Sequence, residues 1–168
     1  MVLVIVGIFL SIKYLLPNNE EQQPTQQVIP SLTASSREPT STPYLAGNVE
    51  IFANKGWQST GLQVETGDII EITYVSGLWT GKTGNNIFSG PEGGHPSQDY
   101  PCNPISHKAS GYNALIGKIW YASPFMVGRH FLGTTDVAGT LYLRMNDCDE
   151  WLVDNEGSII VSIQVSQK

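Results

Sequence analysis

From Ser158 the chain reads SIIVSIQVS, with Ile159, Val161, Ile163 and Val165 at every second position. Ser162, Gln164 and Ser166 stand between them, and Ile160 is the one exception. A strand sends successive side chains to opposite faces, so β-branched residues at period two describe a half-buried strand and not a helix. The same alternation appears at Val49, Ile51 and Ala53, and again over Asp68–Val75 after the turn Glu65-Thr66-Gly67. It appears once more at Leu141, Leu143 and Met145, with Thr140, Tyr142 and Arg144 as polar partners. No segment holds a 3.6-residue period over three turns. Short strands separated by frequent Gly-containing turns predict an all-β fold, an antiparallel β-sandwich over residues 44–168.

The chain before this pattern is of another kind. Residues 1–16, MVLVIVGIFLSIKYLL, are apolar except for Ser11, Lys13 and Tyr14. The run is slightly short of the ~20 apolar residues a spanning helix uses. Lys13 would reach toward headgroups, and we read the segment as a membrane anchor or signal segment. Residues 17–43 are rich in Pro, Gln, Ser and Thr, and bury too little apolar area to offset chain entropy. They predict a disordered linker or stalk. An apolar terminus, a polar stalk and a folded domain together predict an extracytoplasmic protein, either membrane-anchored or secreted. Disulfide capacity follows from that location. Cys102 and Cys148 are the two cysteines, so one bridge is available between them.

Charge is concentrated at one place. In MNDCDEWLVDNEGS, residues 145–158, Asp147, Asp149, Glu150, Asp154 and Glu156 are five of the chain's 15 acidic residues. Asn146 and Asn155 add amide oxygens. The stretch lies between two predicted strands, and Trp151 and Leu152 would pin it to the body and crowd its carboxylates. Hard oxygen donors at variable geometry match calcium. Zinc would ask for His or Cys, and the loop offers Cys148 alone. The spacing is not that of an EF-hand, since Trp151 falls where a ligand belongs and no helices flank the loop. The alternative is a solvated acidic loop.

Other chemistries fare poorly. A net charge of −6 with no Lys/Arg run argues against nucleic acid. GLWTGKTG, residues 77–84, has three residues where a phosphate loop has four, and no helix follows it. No Ser-His-Asp or Cys-His arrangement and no G-x-S-x-G elbow is present. Glycosidase carboxylates face each other across a cleft, whereas these share one loop. The chain reads as a non-enzyme. The long irregular segment between Thr80 and Ala114 is a candidate binding loop, with His95 and Gln98 within it.

These motifs in combination resemble the PA-I-type galactophilic bacterial lectins over most of residues 47–165. WQSTGLQVETGDIIEI followed by SGLW resembles the opening strands and Gly-Trp turn of that family. GPEGGHPSQ resembles its Gly-Pro loop ending in His-Pro-x-Gln, ALIGKIW its following strand, and MNDCDEWLVDNEGSIIVSI its Asn-Asp and Asn-Asn-x-Gly-Ser segment. The resemblance implies a jelly-roll-like, galactose-binding-domain-like sandwich that binds galactose-containing glycans through Ca2+. It implies side-chain oxygens to the metal from Asp147, Asp154 and Asn155, a backbone carbonyl from Trp151, and a second carbonyl near Lys82. It also implies sugar contacts from Asp147, Asp154, His95 and Gln98, the last two at the galactose 6-hydroxyl. Asp154 stands where the family has an amide, Asp149 and Glu150 add charge, and two residues are missing before His95. A calcium-stabilised structural or adhesion domain is the alternative function. Oligomeric state is left open.

Overall fold

The structure is a computed structural model that describes residues 44–94, 100–106 and 111–167. These lie within a compact unit, Arg37–Lys168. The expected apolar terminus, the stalk, His95 and Gln98 fall outside the described residues. No helix among the described residues is long and apolar enough to cross a membrane.

Eight strands form two four-stranded sheets. In chain order they are β1 (Tyr44–Phe52), β2 (Gln58–Val64), β3 (Ile69–Thr80), β4 (Leu115–Ile119), β5 (Phe125–Met126), β6 (His130–Thr134), β7 (Gly139–Met145) and β8 (Glu156–Ser166). One sheet has the order β1-β8-β3-β6 and the other β2-β7-β4-β5. Every pairing is antiparallel. The sandwich expected from the period-two runs is therefore present, and the alternation sets its core. Ile159, Val161, Ile163 and Val165 of β8 meet Ile70 and Ile72 of β3 and Leu141, Leu143 and Met145 of β7 in one apolar cluster. Each fully buried aliphatic side chain here contributes about 1.5–3 kcal/mol by leaving water.

The paired ends of β3 and β8 bring two loops together. β3 runs past the predicted end at Val75 to Thr80 by way of an irregularity between Tyr74 and Ser76. Beyond it Gly77 and Gly157 adopt φ of 97° and 92°, a region open to glycine. A Cβ on Gly77 would come within 2.4 Å of the Ser158 carbonyl, and one on Gly157 within 2.4 Å of the Leu78 carbonyl. The two glycines let the strand ends close together, and this delivers Thr80 beside Glu156.

β7 departs from the simple alternation. Thr140 and Arg144, expected as polar-face residues, are 8% and 2% exposed. Thr140 accepts a hydrogen bond from Gln63 Nε2. Arg144 is drawn inward because the loop after β7 presents it with carbonyl and carboxylate acceptors.

Candidate functional site

The acidic stretch is a loop with one 3-10 turn, Asp149–Asp154, between β7 and β8. Its residues are sorted by what they touch. Leu152 is buried and fixes the turn to the body. Trp151, expected to do the same, is 41% exposed and meets the edge of Tyr100 at 4.8 Å between ring centroids. It therefore joins the turn to the segment 100–106 instead. That segment is also tied by the Cys102–Cys148 disulfide, with Cα atoms 5.1 Å apart. A third tie is the Asn146 amide, which accepts from the Ile105 N–H at 3.1 Å and donates to the Ile105 carbonyl at 2.8 Å. Asn146 thus spends its side chain on structure, although in the sequence it looks equivalent to Asn155.

Asp147 is 1% exposed. Its Oδ1 accepts from the Cys148 N–H at 2.8 Å and its Oδ2 from Asn155 Nδ2 at 3.0 Å. Burial raises its pKa above the ordinary carboxylate value of 3.8, and the nearby Asp154 charge adds to this. The two hydrogen bonds and Arg144 pull the other way. Asn155 is 4% exposed and also donates to the Ala53 carbonyl at 3.2 Å. Its Oδ1 is buried with no hydrogen-bond partner. A buried acceptor in that state costs about 1–3 kcal/mol. Asp154 is exposed, while its carbonyl accepts from Thr83 N–H at 2.6 Å and Thr83 Oγ1 at 2.9 Å. Thr83 follows Lys82, so the loop after β3 is fastened to the acidic loop next to the predicted carbonyl donor.

The sequence patterns gave no role to three residues found here. The Arg144 guanidinium donates to the Met145 carbonyl at 2.9 Å, the Asp147 carbonyl at 2.8 Å and Asp149 Oδ1 at 2.6 Å. It holds the backbone of the acidic loop from behind. The Tyr112 hydroxyl has its pKa raised, first by burial and then by Asp147, Tyr100 and Asp154, so it stands in the field of both carboxylates. Asn113, beside it, borders a cavity of about 260 Å³ together with Thr80, Gly81, Lys82 and Tyr112. No composition or spacing signal marks Arg144. A clue to Asn113 was available, because Asn is enriched where a non-glycine residue takes positive φ.

The donor set fits a hard cation. Among the described residues no three His, Cys, Asp or Glu side chains gather in a metal-ligating group. Asp147, Asn155 with its bare oxygen, Asp154 and the adjoining carbonyls present carboxylate, amide and main-chain oxygens, donor types that would suit calcium as a cradle. Gly94 bridges to Tyr112 at the rim of the cavity.

A two-sheet sandwich with loop-borne polar sites at one end is the architecture of many lectins, and comparison with known proteins agrees. The family model described as PA-IL, PA-IL-like protein, matches residues 45–168. The chain belongs to that family, and its lectin-like character points to carbohydrate binding and to a non-enzymatic protein. Among solved structures it is similar to the EclA N-terminal domain, a PllA-like lectin. The TM-score is 0.55 at 23% identity, covering 74% of this chain and 98% of that one. At that identity the likeness concerns the fold. No curated protein matches the chain.

Proposed function

We propose that the domain is a calcium-dependent carbohydrate-binding module for galactose or a related sugar with cis hydroxyls. The observation that carries this reading is the bare Asn155 Oδ1 beside the buried Asp147 carboxylate. One acceptor lacks a donor, and the other is a buried carboxylate whose charge Arg144 and two hydrogen bonds offset only in part; a hard cation would satisfy both. Calcium bound there would supply a flexible oxygen shell open to two vicinal hydroxyls. The chain's own residues do the rest. Asp147, Asp154 and Asn155 offer side-chain oxygens, with main-chain carbonyls from Trp151 and near Lys82. Arg144, Thr83 and the disulfide keep the loops that carry them in place. His95 and Gln98 are read as donors to the far side of the sugar, with Asp147 and Asp154 reaching it from the metal side.

Residues 1–16 are read as the segment that exports or anchors the domain, and residues 17–43 as its stalk. The test of function is titration calorimetry with methyl galactoside, in calcium and then in chelator. Binding in calcium that vanishes in chelator is expected. Calcium-dependent stabilisation with no glycan bound would leave a structural or adhesion domain. Galactoside binding that persists in chelator would overturn the mechanism.

A further inference from the structure

Two side-chain oxygens among the described residues are buried without a hydrogen-bond partner. Asn155 Oδ1 belongs to the cradle. The other, Asn113 Oδ1, lies outside it.

Asn113 is held tightly for a residue whose own side-chain oxygen goes unsatisfied. Its φ is 59°, in the left-handed region that few side chains adopt. Its carbonyl accepts from the indole Nε1 of the fully buried Trp79 at 2.9 Å. Its amide packs on Gly81, where a Cβ would fall 2.4 Å from Oδ1 and 2.6 Å from Nδ2. The residue is 5% exposed, so the amide has little room to turn toward bulk water. Asn113 is one of the residues lining a cavity also bordered by Thr80, Lys82, Ser89 and Tyr112.

Backbone hydrogen bonds join that cavity to the cradle. The carbonyl of Ala114, next to Asn113, accepts from the Asn146 N–H at 2.8 Å, one residue before Asp147. Lys82 borders the cavity, and Thr83 is bonded to the Asp154 carbonyl. The lining tells the ligand class. It offers hydroxyls, main-chain groups and two amides, the exposed Asn85 and the buried Asn113, with Ile87 as an apolar edge. Among the described residues Lys82 is the one formal charge in the lining, and it is exposed. Such a wall suits a neutral, polyhydroxylated ring with an apolar face. An amide matches a hydroxyl group well, since a hydroxyl both donates and accepts.

We propose that Asn113 is a specificity-determining residue. Its buried amide meets one hydroxyl of the pyranose held at the cradle, a hydroxyl other than the cis pair on the metal. This rests on the carbohydrate reading, and the test separates the two. Asn113→Gly removes the amide and keeps the positive φ, whereas Asn113→Ala strains the backbone and reports on folding. Methyl galactoside is titrated by calorimetry into parent and Asn113→Gly in saturating calcium. Thermal shift by calcium alone is measured in both.

The expected result is an equal calcium shift and an affinity for the galactoside lower by about two- to tenfold in the variant. Monodeoxy galactosides then identify the partner. For the analogue that lacks the contacted hydroxyl, parent and variant should bind alike. Unchanged affinity with the calcium shift retained would overturn the inference and leave Asn113 to a buried water. Loss of the calcium shift would overturn it too, and move Asn113 into the metal cradle. A parent that binds no galactoside in calcium would overturn the carbohydrate reading itself, and this inference with it.

Discussion

Replacing the Asp147 carboxylate by an amide should have opposite consequences with and without metal. Asp147→Asn keeps shape and removes charge. The new amide can still accept from the Cys148 N–H through its oxygen, but its nitrogen would face Asn155 Nδ2, donor against donor. The Asn155 amide turns over in response. Its Oδ1, bare in the parent, then accepts a hydrogen bond, although the bond to the Ala53 carbonyl at 3.2 Å is given up. The new bond replaces the one Asn155 Nδ2 made to Asp147 Oδ2, so the net loss is the bond to the Ala53 carbonyl, about 0.5–1.5 kcal/mol, with the weaker contact to Met145 Sδ. What tips the balance is burial, which already pushes the Asp147 carboxyl toward its neutral form. In chelator the variant should melt at the same temperature as the parent or higher.

In calcium the order reverses. The parent gains about 2.7 kcal/mol at a calcium concentration one hundred times Kd. That is a shift of roughly 10 °C for a domain of this size, at about 4 °C per kcal/mol. The variant should show almost none of it. Calorimetric melting of both proteins in chelator and in calcium is the assay. A full calcium shift in Asp147→Asn would remove Asp147 from the metal site. A variant destabilised in chelator by more than about 2 kcal/mol would refute the argument that the apo carboxylate is held at a disadvantage.

The remaining expectations concern pH, redox state and the buried cation. Because the folded pKa of Asp147 is raised, its contribution to stability is fully present below the unfolded value near 3.8 and is lost as pH rises through the folded value. In chelator, the stability of the parent relative to Asp147→Asn should therefore fall as pH rises through that window, while the calcium shift grows; a flat difference would count against it. Reducing the Cys102–Cys148 bridge, which spans a sequence separation of 46, should lower stability by about 4 kcal/mol on the chain-entropy account. An unchanged melting temperature after complete reduction, checked by thiol titration, would contradict this. Arg144→Met should cost about 1–3 kcal/mol, since the Asp147 carbonyl loses its donor inside the protein. Denaturant unfolding reads this directly, and a neutral result would mean that the loop backbone has other support.

The core strands were legible because their pattern had one cause. β8 sits between β1 and β3 and faces the other sheet on one side only, so burial and period two coincide along its whole length. β5, with two residues, carries too little pattern to be read. Arg144 broke the rule because a long side chain can leave the polar face when the next loop supplies acceptors, and nothing local in LYLRM says that it does. At the site, the acidic stretch could be read as a loop between two strands, and Cys102 with Cys148 as the one bridge available. The different fates of Asn146 and Asn155 could not. They depend on what approaches from elsewhere in the chain, Ile105 in one case and Ala53 with Asp147 in the other.

β1 and β8 run side by side with Tyr44 opposite Val165 and Phe52 opposite Ser158. The acidic loop enters β8 at Glu156, so the cradle stands at the Phe52 end of this pair. Tyr44 stands at the other end, opposite Val165 of β8, a strand whose 11 residues span about 35 Å. Whatever precedes Tyr44 is thus joined to the pole of the sandwich opposite the cradle. The acidic loop and the point where residues 1–43 join the domain therefore lie at opposite ends of the β1–β8 pair.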